Sequence, residues 1–291
     1  MSTTQPGILD PLPSQARYLT FDLLPDTDPA SLKQCLQNLT PDQSLVVGLG
    51  TSLINSLEGY ISGLKPFPSL SNQGIDIPST NRALWLWLRG EDRGELLHQQ
   101  RRLCQQLADC FELTQAVDSF LHADGHDLTG YEDGTENPEG EEAVQAAFSR
   151  QTSLEGSSFV AVQQWVHDFN RFDAMSTEQQ DDCIGRRRSD NVEFEGSPAS
   201  AHVKRTAQES FTPEAFVLRR SMPWSSDQGA GLMFVAFGHS LAPFEAQLIR
   251  MMGLEDGITD ALFKFTRPVT GSYYWCPALE DGKLDLSPLE N

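Results

Sequence analysis

The chain has 291 residues, of which 39% are hydrophobic and 21% charged, the composition of a folded globular protein rather than a disordered one. Forty-one acidic and 21 basic residues give a net charge of −20, which argues against nucleic-acid partners because phosphate backbones would be repelled. No apolar run reaches the ~18 residues of a membrane span, and the first residues lack the basic and apolar regions of a secretory signal, so we expect a cytoplasmic protein with no membrane partner.

The first half of the chain alternates strand and helix patterns. Short apolar and β-branched runs predict strands, and apolar residues at helical spacing predict helices. In chain order we predict a strand at Ala16–Leu23, a helix at Pro29–Leu39, strands at Ser44–Leu49 and Ala83–Leu88, and a long amphipathic helix at Gly94–Phe111. A stretch rich in Gly, Pro and acidic residues, Thr129–Glu142, then breaks the pattern.

The second half repeats this order. We predict a strand at Ser158–Val166, a helix at Ser176–Arg187, strands at Ala215–Arg219 and Gly231–Phe237, a helix at Pro243–Met252, and a β-rich tail over residues 263–275. Each half thus runs β-α-β and then β-α, which is typical of the ferredoxin-like arrangement. The sequence therefore predicts an α+β fold of two ferredoxin-like halves, residues 1–145 and 146–291, whose sheets pack together.

The cysteine and histidine spacings argue against several kinds of site. Five cysteines without a CxxC pair do not suggest a disulfide framework, an iron–sulfur ligand set or a structural zinc site. Cys104 and Cys110 fall in the predicted helical segment and are most simply core or surface thiols. His122 and His126 have the i, i+4 spacing of a helical metal pair, but Gly125 argues against a helix there, and no HExxH motif supports a zinc hydrolase.

Three segments carry residues suited to chemistry. Gly130–Pro138 reads GYEDGTENP and can be a solvated turn, but Gly134 can adopt a positive φ and let the loop aim Asp133 at a flat ligand. A lone histidine is more often structural, yet His202 lies near a basic cluster. This cluster would suit an anionic cofactor bearing carboxylates, or it could simply form a solvated helix end and loop. This cluster comprises Arg186, Arg187, Arg188, Lys204 and Arg205.

The third segment, FTPEAFVLRRSMPW over Phe211–Trp224, has Glu214 at one end and the Arg219–Arg220 pair at the other. In an extended strand Glu214 and Arg219 would lie about 17 Å apart on opposite faces, so they would not form an ion pair. We expect them to serve two sides of one disc-shaped ligand.

Together these segments resemble the dye-decolourising peroxidases, a haem-dependent family marked by a GxxDG motif, and in particular their bacterial B-type (P-type) members. Gly130, Asp133 and Gly134 supply that motif. The strings IGRRRSDN at Ile184–Asn191, AHVKR around His202, VLRRSMPW and GLMFVAFGHSLAPFEAQLIRMMG resemble further family segments in the same order. The resemblance extends over nearly the whole chain, and several motifs in order are far more specific than GxxDG alone.

The resemblance implies a role for each matching residue. His202 would be the axial ligand of the haem iron, and Glu214 would accept a hydrogen bond from the other ring nitrogen of that histidine. Asp133 and Arg219 would be the distal acid and arginine, with Ser221 at a position where some members have Asn. Further contacts to the haem are expected from the motif loop and from two arginines near the propionates, namely Gly134, Thr135, Glu136, Arg186 and Arg205.

The family's fold is a pair of ferredoxin-like halves that form a dimeric α+β barrel-like domain. The implied activity is that of a peroxidase that binds haem b (iron protoporphyrin IX) and uses hydrogen peroxide to oxidise aromatic or dye-like one-electron donors through a ferryl intermediate. The resemblance also suggests a homo-oligomer, a dimer or larger. Two alternatives stay open at this point: a haem-handling or haem-storage protein with incidental peroxidase activity, and a haem-free acidic binding module. Chlorite dismutase-like haem enzymes share the barrel but would not need Asp133.

Overall fold

The computed structural model describes residues 3–290, a mixed α/β chain built on one large antiparallel sheet. The strands are β1 (Gln15–Leu23), β2 (Leu45–Leu49), β3 (Leu70–Asn72), β4 (Ile75–Ile77), β5 (Leu84–Gly90), β6 (Phe111–Phe120), β7 (Ser158–His167), β8 (Leu218–Arg219), β9 (Met222–Ser226), β10 (Gly229–Gly238), β11 (Thr266–Pro268), β12 (Ser272–Cys276), β13 (Leu279–Glu280) and β14 (Lys283–Leu284). The α-helices are α1 (Pro29–Gln37), α2 (Thr51–Ser56), α3 (Arg93–Leu107), α4 (Gly140–Ala147), α5 (Phe169–Asp173), α6 (Thr177–Ile184), α7 (His202–Arg205) and α8 (Ala242–Met251). Within the described range, none of the helices combines the length and the apolar character needed to cross a bilayer.

Eight strands of the large sheet close into a barrel in the order β7-β12-β2-β5-β1-β6-β9-β10, and β10 pairs with β7 to complete the ring. The first-half strands β2, β5, β1 and β6 are consecutive in this order, and so are the second-half strands β9, β10, β7 and β12. Two narrow seams join the two groups, each through one paired position: Trp275 with Leu49, and Ser119 with Trp224. The two halves of the chain therefore share one closed sheet.

Strand β5 shows how the sequence builds a core on both faces of this sheet. Its sequence LWLWL alternates, so Trp85 and Trp87 belong to the cluster inside the barrel while the leucines belong to the cluster outside it. Inside, Tyr18 stacks on the two tryptophans at ring-centroid distances of 6.3 and 6.1 Å. Outside, apolar side chains of α1 and α3 share the cluster of the leucines. Because both faces are buried, β5 has a continuous apolar sequence.

Most of the predicted elements are confirmed, but several boundaries are corrected. The predicted helix Gly94–Phe111 is too long, because α3 ends at Leu107 and Phe111 begins β6. Strand β6 was not predicted since most of its side chains are exposed or only partly buried, which weakens the apolar alternation. The predicted strand Ala215–Arg219 is limited to the two residues of β8, the strand β9 after it was not predicted, and α4 begins at Gly140, inside the stretch predicted to be irregular.

Candidate functional site

One large cavity lies beside the barrel, where β7, β10 and α8 meet the loop that carries the GxxDG motif. Three of the predicted site residues line it together: His202, Asp133 and Arg219. The rest of the wall is mostly apolar and includes Leu232, Phe234, Phe244, Leu248, Met251 and Phe265.

His202 begins helix α7 and is held in place by a buried carboxylate. Its Nδ1 donates a hydrogen bond to Oδ2 of Asp260 across 2.8 Å, and the side chain of Asp260 is fully buried. The other oxygen of Asp260, Oδ1, accepts a hydrogen bond from the backbone N–H of Leu262 at 2.8 Å, which fixes the carboxylate. Because Nδ1 is engaged in this way, the lone pair of Nε2 is the one left for a metal ion.

The expectation that Glu214 accepts this hydrogen bond is wrong. Glu214 is exposed on the segment that precedes β8, whereas Asp260 lies 58 residues after His202, directly before the 3-10 turn Ala261–Lys264. Asp260 was missed because its segment, GITDALF, carries no motif and is distant in sequence from the histidine. The one local signal is an acidic residue placed to cap a short apolar turn, which does not by itself point to a ligand site.

The GxxDG loop takes its shape from hydrogen bonds to Asp127. The carboxylate of Asp127 accepts hydrogen bonds from the backbone N–H and the hydroxyl of Thr129, at 2.8 and 2.6 Å. Gly130 and Gly134 both have a φ of +85°, a left-handed backbone conformation that favours glycine. These two turns bring the chain round so that Asp133 lines the cavity.

Asp133 and Arg219 form an ion pair at the cavity, with Oδ1 and Nη1 3.5 Å apart. Their side chains are 24% and 18% exposed, so both are only partly buried. Asn137 connects their two segments: its Nδ2 donates to the carbonyl of Arg219 at 3.0 Å, and its Oδ1 accepts from the N–H of Arg219 at 2.8 Å. The motif loop and β8 are therefore joined through both polar atoms of one side chain, a role that the sequence analysis did not assign to Asn137.

A second, smaller cavity adjoins the first at this ion pair, since Asp133 and Arg219 line both. Ser221 lines the smaller cavity, and its Oγ accepts a hydrogen bond from the N–H of Val235 at 3.3 Å. His202 lines only the larger cavity. The structure thus brings Ser221 close to the predicted acid and arginine, in a compartment separate from the histidine.

A buried histidine–carboxylate pair that the sequence analysis did not identify also lines the large cavity. The Nε2 of His167 lies 3.0 Å from Oδ1 of Asp127, and its Nδ1 lies 2.7 Å from Oγ1 of Thr266. Burial raises the pKa of Asp127, but the hydrogen bonds from His167 and Thr129 outweigh burial and hold this pKa below its usual value. The pair connects the GxxDG loop to the end of strand β7.

Two orphaned donors in the cavity wall test whether a haem group fits. Gln163 Nε2 and Trp165 Nε1 are buried and have no hydrogen-bond partner within residues 3–290, and both side chains line the large cavity. A buried donor without a partner costs about 1–3 kcal/mol, so acceptor atoms of a ligand are the expected partners. Haem offers an apolar disc, carboxylate oxygens and an iron that one imidazole can bind, so the residues present fit this group.

The motif loop beyond Asp133 is not directed at the large cavity. Gly134 lines the smaller cavity instead. Thr135 and Glu136 are exposed and line neither cavity. The hydroxyl of Thr135 accepts a hydrogen bond from Asn191 at 2.9 Å, and the carboxylate of Glu136 is paired with Arg186. The structure therefore does not bring Thr135 or Glu136 to the place where they were expected.

The two arginines expected near the propionates also lie outside the cavity wall. Arg205 is buried and holds Asp256 through two hydrogen bonds of 2.8 Å each, and it also donates to the carbonyl of Arg250 at 2.7 Å. The structure therefore does not bring Arg205 to the cavity, because its Nη1 and Nη2 atoms are engaged with Asp256 and Arg250. Arg186 forms an ion pair with Glu136, and its Nη2 lies 3.4 Å from a carboxylate oxygen of Glu193. Its guanidinium therefore joins the GxxDG loop to the segment that follows α6.

Comparison with known sequences gives a consistent result. Residues 124–281, more than half of the chain, match the family model described as Dyp-type peroxidase, C-terminal. The dye-decolorizing peroxidase of Mycobacterium tuberculosis is 29% identical over 83% of this chain and 75% of the relative. That of Brevibacterium linens is 27% identical over 85% of this chain and 71% of the relative.

Solved structures are similar over nearly the whole chain. A DyP-type peroxidase protein from Shewanella oneidensis superposes with a TM-score of 0.89 at 28% identity, covering 96% of this chain and 97% of the other. A variant of DypB from Rhodococcus jostii RHA1 in complex with heme gives a TM-score of 0.85 at 26% identity, covering 92% and 94%.

Proposed function

Because the chain belongs to the Dyp-type peroxidase family and is therefore a haem-dependent peroxidase, we propose that the large cavity holds haem b with His202 as the axial ligand of the iron. The observation that carries this assignment is that His202, Asp133 and Arg219 line one cavity whose remaining wall is mostly apolar. The mostly apolar wall would cover the porphyrin faces and exclude water from them.

Asp260 would set the chemical state of the histidine. A carboxylate accepts hydrogen bonds and does not donate them, so Asp260 fixes Nδ1 of His202 as the protonated nitrogen and leaves Nε2 as the ligand. The same hydrogen bond gives the imidazole partial imidazolate character, which makes it a stronger electron donor to a metal ion. We therefore assign to Asp260 the role that the resemblance gave to Glu214.

Asp133 and Arg219 would handle hydrogen peroxide. Haem, when bound, supplies the iron that takes the oxidising equivalents of the peroxide and passes them to an organic donor. The carboxylate of Asp133 can accept the proton of one peroxide oxygen and deliver it to the other, which leaves as water. The guanidinium of Arg219 is a cationic fork of N–H donors, so it can stabilise negative charge on the departing oxygen.

Ser221 would act from the smaller cavity. Its Oγ accepts a hydrogen bond from the N–H of Val235, so its own proton stays available for a molecule in that cavity. A peroxide or water molecule there would also be next to Asp133 and Arg219. We assign Ser221 to peroxide handling on this basis, with aromatic, dye-like molecules as the electron donors.

The test is the reaction of haem-loaded protein with one equivalent of hydrogen peroxide in a stopped-flow spectrometer. A peroxidase shows a fast change of the haem spectrum that an aromatic donor then reverses. A haem-storage protein would bind the same haem but show no such cycle, and that result would overturn the assignment. The ion pair of Asp133 and Arg219 at the cavity favours the enzyme, because a carrier has no need of a proton-transferring acid beside its cofactor.

We also propose that residues 1–145 and 146–291 are two ferredoxin-like halves. In each half the four barrel strands lie in the order fourth, first, third, second, and helices separate the first from the second and the third from the fourth. The matching order in the two halves supports a duplication. We further propose a cytoplasmic homo-oligomer, a dimer or larger, which light scattering of the haem-loaded protein tests directly.

A further inference from the structure

Two cysteines outside the haem site lie in direct contact. The Sγ of Cys35, in α1, is 2.7 Å from the Sγ of Cys110. Cys110 is fully buried between the end of α3 and the start of β6, whereas Cys35 is only partly buried. The two residues are 75 positions apart in the sequence, so the fold alone brings their thiols together.

The backbone on each side of this contact is held by its own hydrogen bonds. The Asp28 carboxylate caps the first turn of α1 by accepting from the N–H groups of Ala30 and Ser31, at 3.0 and 3.1 Å. The carbonyl of Cys110 accepts from the N–H of Leu24 at 2.9 Å, at the end of β1. Because both segments are anchored, the two thiols are held as neighbours in the folded protein.

We propose that Cys35 and Cys110 form an oxidative cross-link site, at which hydrogen peroxide, the substrate of this enzyme, converts the two thiols into a disulfide. In the first step a thiol sulfur of Cys35 attacks peroxide: the O–O bond breaks, an S–O bond forms, and one water leaves, which gives a sulfenic acid. In the second step the sulfur of Cys110 attacks that sulfenic sulfur, an S–S bond replaces the S–O bond, and the hydroxyl leaves as a second water with the thiol proton. Two thiols lose two electrons in total, and one peroxide gains them.

The surroundings of the two sulfur atoms set the order of these steps. Cys110 is fully buried, and its sulfur touches that of Cys35, so it is shielded from peroxide but placed next to any sulfenic acid formed on Cys35. Peroxide reaches the partly exposed Cys35 more easily. Cys35 is therefore the thiol that peroxide attacks, and Cys110 is the thiol that resolves the sulfenic acid.

The cross-link would connect α1 to the junction of α3 and β6. It would close a loop of 75 positions, which restricts the unfolded chain more than the folded one and raises the unfolding temperature by about 5–10 °C. Haem turnover consumes peroxide while an electron donor is present, so the thiols are exposed to peroxide mainly when the donor is exhausted. The site would then stabilise the protein when peroxide is in excess over the electron donor.

The experiment compares the haem-loaded wild type with Cys35→Ser and Cys104→Ser. Cys104 is a matched control because it is also partly buried against the same apolar cluster. After peroxide treatment, removal of excess peroxide and alkylation of free thiols, wild type and Cys104→Ser should lose two thiols and yield a linked peptide containing Cys35 and Cys110. Cys35→Ser should yield no such peptide, and only the proteins that form the link should unfold at a lower temperature after reduction.

Two results would overturn this assignment. One is a wild type in which Cys110 stays reduced while Cys35 is converted to sulfinic acid, and the other is a link that joins Cys35 to Cys104. A parallel measurement on His202→Ala separates this site from the haem chemistry, because direct oxidation predicts the same linked peptide without the haem ligand. A link that forms only when His202 is present would contradict direct attack by peroxide, whereas a failed peroxidase cycle with an intact link would leave the thiol site supported.

Discussion

The carboxylate that binds His202 is fully buried and 2.8 Å from the ring nitrogen, whereas the ion pair of Asp133 and Arg219 spans 3.5 Å and both of its side chains are partly exposed. The first pair lies at the ends of short helical turns, and the second lies on a glycine-containing loop and a two-residue strand. A metal ligand must keep one tautomer and one orientation, which tight burial provides. Groups that shuttle protons to a small substrate need access and hydration, which partial exposure provides.

We expect the His202–Asp260 pair to control whether the protein retains haem, and the loss of His202 to have the largest effect of all. His202→Ala removes the only proposed protein ligand of the iron, so the purified variant should lose nearly all haem absorbance per protein. The control is His239→Ala, an exposed histidine that does not line the large cavity, which should retain haem fully. Full haem retention by His202→Ala would show that another group binds the iron.

Reactivity, in contrast, should depend on the more open ion pair. Arg219→Ala should slow the reaction with peroxide by about 10²–10³-fold, because stabilisation of developing charge is often the largest catalytic contribution. Asp133→Ala should slow it less, and both variants should retain haem. The measurement is the second-order rate constant in stopped flow, with Arg187→Ala, an exposed arginine paired with Asp190, as the control for loss of one positive charge. A near-complete loss in Asp133→Ala with an unaffected Arg219→Ala would reverse this ranking.

The buried carboxylate should tune the iron without controlling its retention. Asp260→Asn replaces an anionic acceptor by a neutral one, so the imidazole donates less electron density and the ferric/ferrous potential should rise. Spectroelectrochemical titration measures this shift. Glu214→Gln is the matched control, since Glu214 is exposed, and its potential should equal that of the wild type. Equal shifts in the two variants would return the role to Glu214.

We expect the smallest effect from the Asp127–His167 pair, which anchors the GxxDG loop that carries Asp133. The pKa of Asp127 is depressed below its usual value of 3.8 in the folded protein, so its contribution to stability is complete above that value and is lost as pH falls through the folded pKa. Wild type should therefore exceed Asp127→Asn in unfolding free energy by about 1–3 kcal/mol at neutral pH. Denaturant titrations should show this difference shrink below about pH 4, and a pH-independent difference would contradict the depressed pKa.

The predicted site residues that the structure brings together in one cavity are those whose neighbours along the chain carry the signal. Asp133 lies between glycines that need a left-handed backbone, and Arg219 and His202 lie in contiguous strings resembling family segments. Asp260 and Asn137 were missed because their roles depend on contacts across the fold, with partners 58 and 82 residues away. A long-range hydrogen bond leaves no periodic pattern in a single sequence.

The fold shows the same division between local and distant information. The strand β5 was predictable because an alternating, fully apolar run needs little context, and α1 and α8 follow from helical spacing. The strand β6 could not be predicted, because its exposed side chains hide the alternation of apolar and polar residues. It is a strand because it pairs with β1 along its whole length. Closure of the ring by β7 and β10 joins residues of the second half only, and no local pattern encodes it.

The two halves of the chain are paired in the barrel at only two positions, and this determines what happens when the chain is cut between them. A cut between the halves would leave β2 and β6 as bare edges on one fragment and β9 and β12 on the other, and it would uncover the indole rings inside. Bare edges recruit other chains into non-native sheets, so each fragment produced alone should precipitate. Co-production of both fragments supplies the missing edges, and reassembly of a coloured, haem-binding complex would show that the ring re-forms from separate pieces.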